Sequence, residues 1–344
     1  MHNKLNRYQE LDSLRGIAAI MVVFFHFTMG RAEAKLGFRF GTTGVELFFM
    51  ISGFVIYMSL SKIKTSKDFI INRISRLYPT YWTCVTFTYL LFNLVSFYCQ
   101  NNYKITFIRY IFNMTMFQYY FKVGDIDGPY WTMIIEMNFY IGILFLYHFK
   151  LLKYLKYIGI ISTVIIVFLA SFLKKSIINK IFVVIPLFKF SPLFFAGIIF
   201  YKIYTKKNKL IENYSLLIIC LISQVLLYDF SGQSRGYFIS HFEYAVMLTL
   251  YFALFILFIN GKLKFIVNRV SLFLGKISFA LYLVHQYISF NLIIYFLVTK
   301  LYVNFWIASI CISLPIIIGL ATLITYYIEV PYSKKMKEKL RTIL

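Results

Sequence analysis

Apolar runs long enough to cross a bilayer as helices recur from one end of this chain to the other. They lie at roughly 12–30, 44–61, 80–99, 130–148, 155–173, 181–203, 213–229, 243–260, 271–297 and 303–328. A hydrocarbon core about 30 Å thick needs about 20 apolar residues of helix. A soluble fold could bury one or two such runs, not a continuous series. Of the 344 residues, 60% are hydrophobic and only 14% charged, which leaves too little polar surface to solvate a globule. The period-two alternation of a transmembrane barrel is missing. The sequence therefore predicts an all-α, polytopic integral membrane protein of about ten transmembrane helices, with residues 1–344 forming a single transmembrane domain.

The net charge is +23, from 36 Lys and Arg against 13 Asp and Glu. In a soluble chain that balance would point to nucleic acid. Here the basic residues fall between the apolar runs, where membrane topology accounts for them, and no nucleic-acid partner is expected. Placing the N-terminus inside puts 24 of the 36 cations in the inner segments, among them Lys4, Arg7, Lys207 and the cluster Lys334 to Arg341. Both termini are thus predicted to be cytoplasmic. Segment 105–121 is apolar but interrupted by Arg109, Asn113 and Gln118, and reads as interfacial or re-entrant. The first run lacks a small-residue cleavage site and reads as a retained span. The four cysteines are isolated, and no His, Cys, Asp or Glu group has metal-ligand spacing, so no metal is expected.

Ionisable groups inside a membrane are costly, so each is a functional candidate. Arg15 and His26 are eleven residues apart. In a helix that is about three turns plus roughly 20°, so the two side chains share a face about 16 Å apart. An arginine at the membrane surface aligned with a deep imidazole looks like a charged anchor leading to a reactive nitrogen. Arg73 and Arg76, on the cytoplasmic loop before Leu77-Tyr78-Pro79, share a face if that segment is helical. Guanidinium pairs suit phosphates, although positive-inside decoration also explains them. In the stretch 128–140, Pro129 fits a first helical turn, Trp131 an interfacial belt, and Glu136 lies about 10 Å deeper. Glu46 sits near the outer end of the second run, ahead of Ser52 and Gly53, which permit close packing. Tyr282 and His285 lie in the ninth run, and Glu329 closes the tenth at the cytoplasmic face.

Together, Arg15-x10-His26, the 44–54 stretch, Arg73-x-x-Arg76, Trp131 to Tyr140 and Leu281 to His285 resemble the acyltransferase 3 family of bacterial membrane O-acyltransferases. The resemblance covers essentially the whole chain and corresponds to the standalone form without an SGNH hydrolase-like domain. It implies a bacterial cytoplasmic-membrane enzyme that takes an acyl group, usually acetyl, from cytoplasmic acyl-CoA. The group would pass to a hydroxyl of an extracytoplasmic carbohydrate, lipid-linked or free, such as O-antigen, lipopolysaccharide or capsule. By the same resemblance the Arg15/His26 pair is essential, with His26 at the catalytic centre, and Arg73 and Arg76 match a basic loop pair. Glu46 stands where the family often has Asp, and Met137 where it often has Glu.

Read together, residues and resemblance predict that Arg15, Arg73 and Arg76 hold the phosphates of acetyl-CoA as acyl donor. His26 acts as base or as acyl carrier, with Glu136 as its catalytic partner. Glu46, Trp131, Tyr282, His285 and Glu329 support the site or the substrate, and Glu46 is an alternative to Glu136 for orienting the imidazole. The rival reading is a polysaccharide exporter or proton-coupled transporter, in which His26, Glu136 and Glu46 relay protons.

Overall fold

The computed structural model describes residues 8–99, 104–206, 209–233 and 239–343. Lys4, Arg7 and Lys207, used above for topology, lie outside them. Among the described residues the chain is all helical, with no strand. In chain order its α-helices are α1 (Gln9–Thr28), α2 (Gly44–Leu60), α3 (Ser66–Tyr98), α4 (Phe107–Met114), α5 (Trp131–His148), α6 (Leu155–Phe172), α7 (Lys175–Val184), α8 (Ser191–Thr205), α9 (Leu210–Leu226), α10 (Tyr228–Ser231), α11 (His241–Ile259), α12 (Arg269–His285), α13 (Tyr295–Thr299), α14 (Leu314–Ile324) and α15 (Val330–Ile343).

Seven helical stretches among the described residues are long and apolar enough to cross a membrane: Gln9–Thr28, Phe38–Leu60, Gly128–His148, Leu151–Phe172, His241–Ile259, Arg269–Thr299 and Ile307–Ile343. The prediction of about ten came from three further runs. Run 181–203 is not one helix, because α7 ends before Ile185-Pro186. Ile185 adopts φ −132°, ψ 85°, as a residue preceding proline must when it leaves the α region. Run 213–229 forms the 17-residue α9, about 25 Å long and short of a hydrocarbon core. Run 80–99 is the second half of the 33-residue α3, where Thr, Tyr and Asn dilute the apolar residues.

Two expectations of local structure change. Arg73 and Arg76 are not on a loop. A capping box between Thr65 and Asp68 starts α3 at Ser66, and the helix carries through Pro79. No helix ends at Glu329. A π-helical turn, Thr325–Glu329, re-pairs the backbone just ahead of Pro331, which has no N–H to give, and α15 continues. Segment 105–121, read as interfacial or re-entrant, holds the eight-residue α4, about 12 Å long, and a short 3-10 turn at Gln118–Phe121, and neither is long enough to cross a bilayer.

The chain divides into two compact units, residues 1–64 with 138–275 and residues 65–137 with 276–344. In the first unit, α2 and α8 touch backbone to backbone. A side chain at Gly53 would strike the Phe194 carbonyl, and one at Gly197 would strike that of Met50. Aromatic rings fill the flanks, with Phe49 against Phe190 and Phe194, and Phe54 against Tyr201 and Phe258. The second unit holds α3, α4 and the two long C-terminal helices, each interrupted by π-helical turns.

Candidate active site

α1 is unbroken from Gln9 to Thr28, so the angular relation read from the sequence holds. Arg15 and His26 are both half-buried. The residues between them on that face are small, and Ala19 and Val22 are buried. The exposed side of α1, marked by Ile17, is turned about 200° from Arg15. The arginine and the histidine therefore face away from the exposed side of α1.

Two seams flank this face. On one side the chain leading into α2 lies against α1: Gly41 approaches the Met21 carbonyl, and Gly44 approaches Ala18 and Val22. On the other, Gly16 meets the backbone of Gly275 and Ser271, and Ser13 Oγ lies 3.0 Å from Ser271 Oγ. Both seams belong to the first unit. The face carrying Arg15 and His26 runs between them.

His26 Nδ1 lies 2.9 Å from the Val22 carbonyl oxygen. A carbonyl can only accept, so Nδ1 carries the proton of the neutral ring and Nε2 presents its lone pair. The Val22 carbonyl of its own helix thus sets the tautomer of the ring. Glu46, the alternative to Glu136 for orienting the imidazole, points elsewhere. Gly44 faces α1, and two helical steps turn Glu46 about 200° away from it. Glu46 is completely buried, and its Oε1 accepts from Gln233 Nε2 at 3.1 Å. Gln233 is tied in turn to the Thr42 hydroxyl and carbonyl. Tyr244 stands beside the carboxylate and accepts from Gln224 Nε2 at 3.1 Å. Sequence reasoning missed Gln233, Gln224 and Tyr244, which carry no spacing signal.

The second unit has its own buried polar cluster. Tyr282 Oη and Thr132 Oγ1 are 3.1 Å apart, and Thr132 also donates to the Pro129 carbonyl at 3.0 Å. His285 is completely buried, with Nδ1 2.8 Å from the Tyr282 carbonyl, so its Nε2 is likewise the ring's acceptor. A π-helical stretch, Gln286–Ile294, begins directly after it. The change of winding leaves the Tyr287 N–H to Asp127, whose Oδ1 also accepts from Gly128 N at 2.8 Å. Single π turns inside helices are often found at functional sites. Asp127 was missed, although an acidic residue before Gly-Pro at a helix start is a recognisable N-cap signal.

Arg109, Asn113 and Gln118, which looked like interruptions in an apolar segment, build the support for Asp127. Arg109 Nε and Asn113 Nδ2 both donate to the Gly124 carbonyl, at 3.0 and 3.1 Å. Asn113 Oδ1 accepts from Ile126 N, and Gln118 Nε2 donates to Asp125 Oδ1 at 2.7 Å. Burial raises the carboxyls of both Asp125 and Asp127, the latter to about 7.

Glu136 is half-buried on α5, one turn beyond Thr132 on the same face. The pairs Asp127–Tyr287 and Thr132–Tyr282 show that this end of α5 runs antiparallel to α12. Glu136 therefore stands on the opposite side of Tyr282 from His285, about 10 Å along the helices. Trp131 is exposed at the start of α5. Arg73 and Arg76, three residues apart in continuous helix, share a face of α3, with the Arg73 guanidinium 5.7 Å from the Phe69 ring centroid. Lys337 of α15 lies among Arg73, Arg341 and Asp68. Glu329 Oε2 is 3.5 Å from Thr325 Oγ1. Among the described residues, no group of three His, Cys, Asp or Glu could hold a metal.

Comparison with known proteins bears on what such an arrangement does. A family model described as "Acyltransferase domain" matches residues 8–327. A protein of Acidianus two-tailed virus, named "Putative acetyltransferase ORF330", is 26% identical over 286 residues, covering 80% of this chain and 81% of its own. No solved structure matches the chain.

Proposed function

Since this chain belongs to the acyltransferase 3 family and is an acyltransferase, we propose that it moves an acetyl group from acetyl-CoA to a hydroxyl of a surface carbohydrate, in the cytoplasmic membrane of a bacterium. The reading rests on one observation above the others. His26 shares one face of an unbroken helix with Arg15, and its Nδ1 is held by a backbone carbonyl, so that Nε2 is the basic nitrogen.

Nε2 accepts the proton of a sugar hydroxyl as its oxygen attacks the thioester carbonyl. The C–S bond then breaks, and the leaving coenzyme A sulfur takes the proton from the imidazolium. In the two-step variant, Nε2 itself attacks the thioester and the C–S bond breaks, releasing the coenzyme A thiolate; the sugar hydroxyl then attacks the acyl-imidazole, freeing the ring, and its proton passes to the thiolate. Arg15 in the first unit, and Arg73 with Arg76 in the second, are guanidinium groups suited to the phosphates of coenzyme A. Glu136, Trp131, Tyr282, His285 and Glu329 are assigned to acceptor binding or to holding the second unit's polar cluster. Glu46 is assigned to holding the first unit's cluster with Gln233. A cytoplasmic placement of both termini belongs to the same proposal, supported by the concentration of basic residues in the segments it puts inside.

The test is transfer of radiolabelled acetyl from acetyl-CoA to a panel of lipid-linked and free glycans by the purified protein. Label on a glycan, lost in His26→Ala, supports the reading. Coenzyme A release that proceeds equally without His26 would overturn it.

A further inference from the structure

α3 and α15 run antiparallel within the second unit. Arg341 Nη2 lies 4.0 Å from Asp68 Oδ1 near one end, and Trp82 faces Ile328 and Tyr332 near the other. Between the two helices is an open groove of about 450 Å³. Its chemistry changes along its length. Lys335 and Lys339, one turn apart on the same face of α15 and both exposed, form one end. Tyr332 and Met336 form the middle, and Ile328 and Trp82 the far end. Ile328 to Lys339 spans about 16 Å of helix.

The walls of the apolar end are fixed. The Trp82 indole N–H is donated to the Met114 carbonyl at 2.9 Å, which holds the ring as a flat side. The Lys335 ammonium already lies 5.3 Å from the Tyr332 ring centroid, at the border between the two regions. α15 itself carries Lys334, Lys335, Lys337, Lys339 and Arg341 against Glu338, and it continues directly from an apolar helix. A basic segment leaving a span meets the headgroups of the adjoining leaflet.

We propose that this groove binds an anionic glycerophospholipid of the surrounding bilayer, with the headgroup phosphate on Lys335 and Lys339 and an acyl chain along Tyr332, Ile328 and Trp82. Charge complementarity selects the anionic headgroup. The apolar remainder of the groove selects a lipid over a soluble phosphate, which would meet only two exposed ammonium groups.

The experiment is native mass spectrometry of the full chain in neutral detergent, titrated with dioleoylphosphatidylglycerol or dioleoylphosphatidylcholine. Lys335→Gln/Lys339→Gln is compared with a charge-matched control, Lys262→Gln/Lys264→Gln, whose lysines are exposed in the first unit. Two lost surface cations should weaken phosphatidylglycerol binding about thirtyfold. Phosphatidylcholine binding by the same variant should stay unchanged, which also reports that the fold is intact, and the control pair should behave as wild type. Equal affinity for the two lipids, or phosphatidylglycerol binding that survives the double substitution, would overturn the proposal. So would displacement of the lipid by millimolar glycerol 3-phosphate, since that would mark a soluble-phosphate site.

Discussion

The carboxylate of Asp127 accepts the backbone N–H of Tyr287 at 3.1 Å, across 160 residues of sequence. The N–H is available because the helix changes from α to π winding immediately after His285. One buried side chain thus fixes the point where the helix bearing His285 changes its pitch.

That contact sets a pH dependence. Burial raises the Asp127 carboxyl to about 7, above its unfolded value near 4. Between those values the folded protein holds a proton that the unfolded chain has lost, so this group's contribution falls as pH rises, by up to roughly 1.4 kcal/mol per pH unit. Asp127→Asn keeps an oxygen acceptor for Gly128 and Tyr287 and removes the titration. Thermal melts between pH 5 and 7.5 should show wild type losing stability relative to the Asn variant, and parallel curves would refute the assignment.

Replacing His26 with Ala should lower acyl transfer by at least about a hundredfold, the low end of a lost general base. His26→Gln retains a side chain able to donate to the Val22 carbonyl but offers no basic nitrogen, so its activity should fall as far. Turnover of labelled acetyl-CoA, with detergent-extracted yield as the folding control, distinguishes a chemical role from a packing one.

If Arg73 and Arg76 bind phosphates, changing both to Gln should raise the KM for acetyl-CoA about tenfold or more with a smaller effect on kcat. An unchanged KM would leave them with a topological role.

Gly53→Ala should destabilise the first unit by about 1–3 kcal/mol, because the new methyl group meets the Phe194 carbonyl and the backbones of α2 and α8 must separate. Gly142→Ala is the matched control, since nothing lies within 4 Å of a side chain there. Melting temperatures of the two variants in the same detergent test this directly, and an equal shift in both would sink it.

Tyr282→Phe removes one partner of the Thr132 hydroxyl, which keeps its bond to the Pro129 carbonyl. The expected loss is about 1 kcal/mol. In a double-mutant cycle with Thr132→Val, coupling near zero would show that the pair does not interact.

Some of this was legible residue by residue. The Arg15/His26 alignment needed only the pitch of a helix, and α1 is continuous through both. Arg73 and Arg76 share a face for the same reason, although the loop assigned to them ignored the Thr65/Asp68 cap. Run 181–203 failed as a single span because hydropathy outweighed the local rule at Ile185-Pro186. The polar residues of 105–121 were legible only as interruptions of an apolar run, since their partners are carbonyls and amides of the loop at 124–126.

The sequence by itself determined the all-helical membrane character, the apolar first helix, and the vertical order of guanidinium and imidazole upon it, because these follow from composition and a fixed rise per residue. Tertiary structure decided what each polar group pairs with. Glu46 went to Gln233 rather than to His26, and Asp127 to Tyr287. Hydrogen bonds between distant segments depend on helix rotation and on where a helix changes winding, and no spacing along one strand of chain records either.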